Sequence, residues 1–350
     1  MDVTPVADPR PSTAAKAASR PARPKDMRIE SLRGLALILM VAGHVIGDSP
    51  ESGMKVADDS GYRYFYFSLS YLRMPLFTAI SGFVYSLAPA SRDAAGRFVV
   101  GKARRILLPF ATVLTAQFLM RMATPGVNMR PSLSDLPAAY LYGIDQFWFL
   151  QSIFAIFLVV GALDCVGGLR TFPRWAAALL FSLALYRLPI PVPHVFSLNG
   201  AVWLLPFFLL GCGVKRFPEK LFHPATLAFA AACLAVGIAA QQAAWFSWLS
   251  VSEIRAWMVP ALVGLTGNLL LFRYFPVVPA LAFVGAHAYT AYLLHVFFTA
   301  GSRIALYRAG IDYHPIIFVV GVAAGVGMPI LVEPLIAKSR LLRRAVLGLR

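Results

Sequence analysis

The sequence contains few charged residues for its length. They make up 14% of the 350 residues, whereas soluble domains carry about a quarter. Hydrophobic residues make up 59%, and the mean hydropathy is +0.69. No polar stretch is long enough to form a soluble catalytic domain. The composition therefore excludes an ordinary soluble enzyme and predicts an all-α, polytopic bundle of transmembrane helices in the lipid bilayer.

Acidic residues are the scarcer of the charged types, with 16 against 32 lysines and arginines and a net charge of +16. In a soluble protein this surplus would indicate nucleic-acid binding. Here the basic residues cluster between apolar segments, which is typical of residues that orient a protein in the membrane. The sequence has no RNA- or DNA-binding motif, so we expect no nucleic-acid partner.

Cysteine is also rare. Cys165, Cys212 and Cys233 are isolated and lie in or beside apolar segments. Their spacing matches neither a metal site nor a disulfide framework. We interpret them as small core residues and predict no bound metal.

The first thirty residues lack the apolar core of a cleavable signal peptide. They are rich in proline, alanine, serine and arginine, a composition typical of a disordered segment. We therefore predict a disordered basic N-terminal tail at 1–30, a transmembrane domain at 31–337 and a basic cytoplasmic C-terminal tail at 338–350.

About ten segments approach the roughly 20 apolar residues that a spanning helix needs. They lie at about 32–47, 64–88, 106–123, 146–164, 175–189, 200–214, 224–243, 255–275, 280–300 and 316–336. An even number of spans puts both termini on one side. Most lysines and arginines fall in the two tails and in the loops after even-numbered spans, which predicts that both termini are cytoplasmic.

The first predicted span, "SLRGLALILMVAGHVIG", contains Arg33 and His44. Eleven residues at about 100° each place both on one helix face, about 16 Å apart along the axis. An ionisable residue inside a span is costly and by default marks a function or a partner. Histidine is a natural general base near neutral pH. The structural alternatives are an Arg33–Glu30 pair at the interface and a hydrogen-bonded core histidine.

Two further basic groups are candidates for binding anions. Arg73 lies well inside the second span, where we expect it to face the same cavity as His44 and to meet a carboxylate, a phosphate or an oxyanion. Lys102, Arg104 and Arg105 directly precede the third span. They are either a membrane anchor or a clamp for a phosphorylated cytoplasmic ligand, since guanidinium groups bind phosphates in a bidentate manner.

Taken in order, several segments resemble the acyltransferase 3 family of integral-membrane acyltransferases. The resemblance runs from about residue 28 to 300 and continues into the last span. Its first element is the ten-residue spacing between Arg33 and His44. The segments are "RIESLRGLALILMVAGHV", "MPLFTAISGF", "KARRILLPF", "FWFLQSIF", "LLPFFLLGCGV" and "AYTAYLLHVFF".

The resemblance implies a multi-pass enzyme of the bacterial cytoplasmic (inner) membrane. Such an enzyme transfers an acyl group, usually acetyl, from a cytoplasmic acyl-CoA to a hydroxyl of a glycan or lipid-linked sugar. Acetyl-CoA would be a substrate, with no permanently bound cofactor. His44 takes the place of the family's essential histidine, and Arg33 that of its arginine partner.

The chain departs from the family pattern in two places. Where relatives often carry Arg-x-x-Arg, this chain has Lys102-x-x-Arg105, and lysine cannot fork a phosphate. Many relatives also carry a C-terminal extracytoplasmic domain that passes the acyl group onward, whereas this chain is expected to end on the cytoplasmic side. Either residues of the spans act on the acceptor directly or a separate extracytoplasmic protein completes the transfer.

The resulting hypothesis places the donor phosphates on Lys102, Arg104 and Arg105 and the thioester near His44. His44 would act as general base, with Arg73 or Arg33 stabilising negative charge; transient acylation of His44 is a variant. Trp148 either stacks on an acceptor sugar or is an interfacial aromatic. Tyr292 and His295 either reach the cavity or pack between helices. A transporter or flippase for lipid-linked sugars is the competing class.

Overall fold

A computed structural model describes residues 26–128, 130–188 and 192–349. Within these ranges the ordered elements are helices, and no β-strand is present. The α-helices are α1 (Met27–Ile46), α2 (Gly61–Tyr85), α3 (Ala95–Ala123), α4 (Leu136–Tyr142), α5 (Trp148–Cys165), α6 (Phe172–Arg187), α7 (Leu198–Arg216), α8 (Pro218–Leu221), α9 (Pro224–Trp245), α10 (Val251–Ala256), α11 (Val259–Tyr274), α12 (Pro279–Ala286), α13 (Ala288–Arg308), α14 (His314–Lys338) and α15 (Arg340–Leu347).

Several helices of the described ranges are suited to cross a membrane. By length and composition, six stretches qualify: Met27–Ile46, Arg92–Ala123, Leu133–Cys165, Val195–Arg216, Pro224–Trp245 and His314–Lys338. A seventh is obtained if α11 and α12, which are bent by 118°, count as one broken span. The predicted all-α class is confirmed, with several apolar candidate spans. The count of ten spans and the cytoplasmic side of both termini stay predictions.

The ninth predicted span, 280–300, crosses a break between two helices. α12 ends at Ala286 and α13 begins at Ala288. His287 occupies the break, and its Nδ1 lies 3.0 Å from Glu333 Oε2 of α14. The residues on both sides are apolar, so hydropathy gives no sign of the interruption.

The ends of the described chain are more helical than expected. α1 starts at Met27, where the Asp26 side chain accepts hydrogen bonds from the backbone N–H groups of Arg28 and Ile29. Residues 27–30 are therefore part of this helix, not of the tail predicted for 1–30; residues 1–25 lie outside the described ranges. Much of the predicted tail at 338–350 forms α15, which packs against α3 and α14.

α1 lies in the centre of the bundle, packed against α2, α12, α13 and α14. Its approach to α12 depends on two glycines: a Cβ at Gly34 would collide with the backbone of Leu281, and one at Gly285 with the backbone of Glu30. Small residues allow such close contacts between helices in lipid. These contacts fix the N-terminal part of α1 against α12.

A buried ion pair joins α5 and α7, and the last residue of α2 is hydrogen-bonded to it. Arg216 donates from both terminal nitrogens to the two oxygens of Asp164, each at 2.7 Å. The Tyr85 hydroxyl donates to the same carboxylate at 2.6 Å. The Asp164 side chain is only 5% exposed, so its charge is compensated almost entirely by these two partners.

Candidate active site

A cavity of about 400 Å³ opens beside the C-terminal end of α1, lined by residues of α1, α2, α3, α5, α13 and the intervening loops. Its polar lining includes His44, Arg73, Arg121, Asp145 and Arg303. In the described ranges, no group of three or more histidine, cysteine, aspartate or glutamate residues is arranged to hold a metal ion. The side chains available for chemistry in this cavity are therefore mainly imidazole, guanidinium and carboxylate groups.

The structure brings His44 and Arg73 together in this cavity. Residue 43 is glycine, and a Cβ there would collide with the Arg73 guanidinium. The guanidinium also lies 4.0 Å above the ring of Tyr66, a cation–π arrangement. Its Nε is buried and has no hydrogen-bond partner among the described residues. A fixed cation thus lies beside His44 with donor capacity left for an anion.

Arg33 lies away from this cavity, toward the opposite end of α1. Its Nη1 is 2.8 Å from both carboxylate oxygens of Glu30. The eleven residues between Arg33 and His44 separate them by about 16 Å along the helix. Of the two arginines considered as partners of His44, the structure places only Arg73 beside it.

The three basic residues before the third predicted span do not converge on one point. Lys102 Nζ lies 3.5 Å from the centre of the Phe157 ring of α5. Arg104 Nε donates to the Gly348 carbonyl at 3.2 Å, after α15. Arg105 is exposed. Two residues along a helix correspond to about 200°, so Lys102 and Arg104 face opposite ways, while Lys102 and Arg105 share a face.

The structure places His295 next to His44. Its ring centre lies 4.9 Å from that of His44, and its side chain is fully buried. The neighbouring Tyr292 is also buried, and its hydroxyl donates to the Gln146 carbonyl. The sequence feature that points to His295 is the Tyr-Leu-x-His segment, which places a histidine deep in an apolar span.

A chain of polar side chains near the start of α5 was missed from the sequence. The Asp145 carboxylate accepts from Arg121 at 2.5 Å and from Gln117 at 2.8 Å. Gln146 donates to the Gln117 amide oxygen at 2.9 Å. Arg121 lies inside a predicted span, so an acidic partner was to be expected. The sequence could not identify that partner, because Asp145 lies in a predicted loop distant in the chain.

Trp148 separates the main cavity from a second one. The second cavity, of about 450 Å³, is lined by Trp148, Trp203, Tyr142, His194 and Asn199 among others. The rings of Trp148 and Trp203 have their centres 6.0 Å apart. An aromatic wall next to polar side chains is suited to a ligand with both an apolar face and hydroxyl groups.

Comparison with known proteins identifies the family. The family model described as an acyltransferase domain matches residues 28–333. The chain is similar to nodulation protein NolL of Sinorhizobium fredii, with 27% identity over 60% of this chain and 56% of that protein. It is also similar to nodulation protein NolL of Mesorhizobium japonicum, with 26% identity over 53% of this chain and 47% of that protein. The matches thus span about half the length of each relative, and no solved structure matches. On the family match, which covers most of its length, the chain belongs to the acyltransferase 3 family.

Proposed function

We propose that this protein is a membrane O-acyltransferase that moves an acyl group, acetyl in the simplest case, from acyl-CoA to a hydroxyl of a glycan or another cell-surface acceptor. The observation that carries the proposal is the placement of His44 and Arg73 side by side in one cavity. A general base and a fixed cation are the two groups that acyl transfer from a thioester to an alcohol requires. Family membership supplies the reaction class.

In the proposed reaction, His44 removes the proton from the acceptor hydroxyl as that oxygen attacks the thioester carbonyl. The carbonyl oxygen gains negative charge, which the Arg73 guanidinium stabilises. Collapse of this intermediate breaks the carbon–sulfur bond and forms the ester. The coenzyme A thiolate then takes the proton from His44. A route through acyl-His44 would use the same two side chains.

The donor phosphates are proposed to bind at Lys102 and Arg105, which share one face of α3. Arg104 is not part of this reduced clamp, because it is engaged by the C-terminal segment. Along α3, Lys102 lies about 22 Å from Gln117, a residue of the main cavity. That is the distance that the extended pantetheine arm has to cover to bring the thioester to His44.

The acceptor is proposed to lie against the polar wall formed by Arg121, Asp145 and Gln117, with Trp148 under one of its sugar rings. Asp145 and Arg121 supply an acceptor and a donor of hydrogen bonds, and Trp148 supplies an apolar face. Sugars present both kinds of surface. The second cavity beyond Trp148 leaves room for the part of the acceptor that does not react.

The proposal is tested by separating donor binding from transfer. The protein is placed in nanodiscs with a membrane glycan fraction, and binding of labelled acetyl-CoA and transfer of the label are measured. We expect His44→Ala to bind the donor without transferring it. We expect a Lys102→Ala/Arg105→Ala double variant to lose donor binding, and its difference from the wild type should be largest at low salt, where the charges are least screened.

The matched control is an Arg92→Ala/Arg97→Ala double variant, which removes the same charge from exposed positions of the same region and should bind normally. Transfer by His44→Ala at the wild-type rate would overturn the proposal. So would a wild-type protein that binds no acyl-CoA and moves lipid-linked sugars across the bilayer, which is the outcome expected of a flippase.

A further inference from the structure

The main cavity has a second histidine behind it. His295, on α13, is completely buried, whereas His44 is half-buried and lines the cavity. The two rings lie 4.9 Å apart between centres, with their planes inclined by 51°. An acceptor in the cavity would therefore meet His44 first, with His295 on the protein side of that ring.

The hydrogen bonds of His295 define which of its nitrogens carries the proton. Its Nδ1 lies 2.8 Å from the Tyr292 carbonyl and 3.1 Å from the Ala291 carbonyl. Carbonyl oxygens only accept hydrogen bonds, so Nδ1 must be the donor. In a neutral imidazole the other nitrogen, Nε2, is then unprotonated and can only accept.

This accepting nitrogen has no partner. His295 Nε2 is buried and forms no hydrogen bond with any residue of the described ranges. Buried polar atoms are almost always paired, so an unpaired one calls for a functional explanation. The nearest ring that can offer an N–H is that of His44.

The two rings are held at this separation by the helices around them. At Gly325 of α14, a Cβ would collide with Thr299 of α13 and with Val41 of α1. α14 therefore packs closely against both helices near the histidine pair. On the other side, the bond from the Tyr292 hydroxyl to the Gln146 carbonyl fixes α13 to the segment before α5.

We infer that His295 is a positioning residue, which accepts a hydrogen bond from one ring nitrogen of His44 and so directs the other ring nitrogen, unprotonated, into the cavity. This inference rests on the proposed role of His44 as general base. When His44 gains a proton, the same hydrogen bond stabilises its positive charge.

Three substitutions at residue 295 test the inference. Glutamine places an amide oxygen near the position of Nε2 and keeps the acceptor. Asparagine places its amide nitrogen near Nδ1, so it keeps the bond to the Tyr292 carbonyl but removes the acceptor. Alanine removes both. We expect His295→Gln to keep kcat within about tenfold of the wild type, and His295→Asn and His295→Ala to lose about 100-fold or more, as for a misplaced catalytic group.

The KM for acceptor and the Kd for acetyl-CoA should stay unchanged in all three variants. A role in helix packing alone predicts the reverse order, with asparagine, which keeps the Tyr292 bond, at least as active as glutamine. Activity of His295→Asn at the wild-type level would overturn the inference while leaving His44 as base. Activity of His44→Ala at the wild-type level would instead overturn the proposed function, so the two failures are distinguishable.

A spectroscopic measurement keeps the inference testable if a variant does not fold. The wild-type protein labelled with ¹⁵N-histidine has six histidines to resolve. One of them should show an unprotonated Nε2 coupled to a protonated Nδ1, and its signal should be absent in His295→Gln. A protonated Nε2 at His295 would overturn the inference.

Discussion

Arg73 can lie against α1 because residue 43 has no side chain. The guanidinium occupies the space where a Cβ of residue 43 would be, and the ring of Tyr66 covers it from the other side. Its charge is thereby brought to the turn that carries His44. An arginine inside an apolar span carries a large desolvation cost, and its position beside a half-buried histidine fits the proposed stabilisation of negative charge by Arg73.

Adding one methyl group at residue 43 should therefore disable the enzyme without touching a reacting group. We expect Gly43→Ala to displace the Arg73 guanidinium and to lower kcat about 100-fold, the usual effect of misplacing a catalytic group by about 1 Å. Gly327→Ala is the matched control, since a Cβ at Gly327 meets open space. Transfer rates of both variants in nanodiscs check the prediction, and equal activity would show that Arg73 does not act from this position.

The individual site residues differ in how far sequence could identify them. His44 and Arg73 were predicted because a polar residue in an apolar span is conspicuous. Arg104 was grouped with Lys102 by its position in the chain, but the helix turns it toward Gly348. Asp145 could not be predicted as a site residue, because the sequence of a loop does not indicate which distant basic residue its carboxylate will pair with.

At the level of helices, the apolar segments could be located because hydropathy reports directly on what lipid can accept. Each of the ten predicted segments overlaps a helix. What hydropathy does not report is a break between two apolar helices, as at His287, or the packing of a short helix such as α12 against α1. Those depend on tertiary contacts between glycines and backbone far apart in sequence.

The ion pair between Asp164 and Arg216 should matter for stability and not for catalysis. Asp164→Ala leaves the Arg216 guanidinium and the Tyr85 hydroxyl without their partner in a site that is mostly buried. Removing one member of a buried pair costs about 3–5 kcal/mol, so we expect a corresponding fall in the free energy of unfolding in detergent. The kcat of the folded fraction should be unchanged, because none of the three residues lines the main cavity.

Asp93→Ala provides the comparison for this prediction, since Asp93 carries the same charge at an exposed position. We expect it to unfold like the wild type. A similar loss of stability in both variants would mean that net charge, not the ion pair, is responsible. A lower kcat for folded Asp164→Ala would show that this end of α2 is coupled to the cavity.

At the level of the whole molecule, the first and last residues that the structure describes lie near the same end of the bundle. Arg28, at the start of α1, donates to the carbonyl of Arg273 in the last turn of α11. Gly348 accepts from Arg104 in the N-terminal half of α3. The cavity with His44 opens at the other end of α1. This arrangement is the one expected if donor phosphates bind at the basic end and the acceptor reaches His44 from the opposite side.

The orientation in the membrane can be measured with single cysteines. Cys165, Cys212 and Cys233 are first replaced by alanine, and cysteine is then introduced at Ser91, Ser252 or Ala309, all of which are exposed. The distribution of lysine and arginine predicts Ser91 on the cytoplasmic side and the other two outside. A membrane-impermeant maleimide added to intact cells should therefore label Ser252→Cys and Ala309→Cys but not Ser91→Cys, which should react only after the membrane is opened. Labelling of Ser91→Cys in intact cells would reverse the orientation, and it would put the proposed clamp of Lys102 and Arg105 on the side where acyl-CoA is not made.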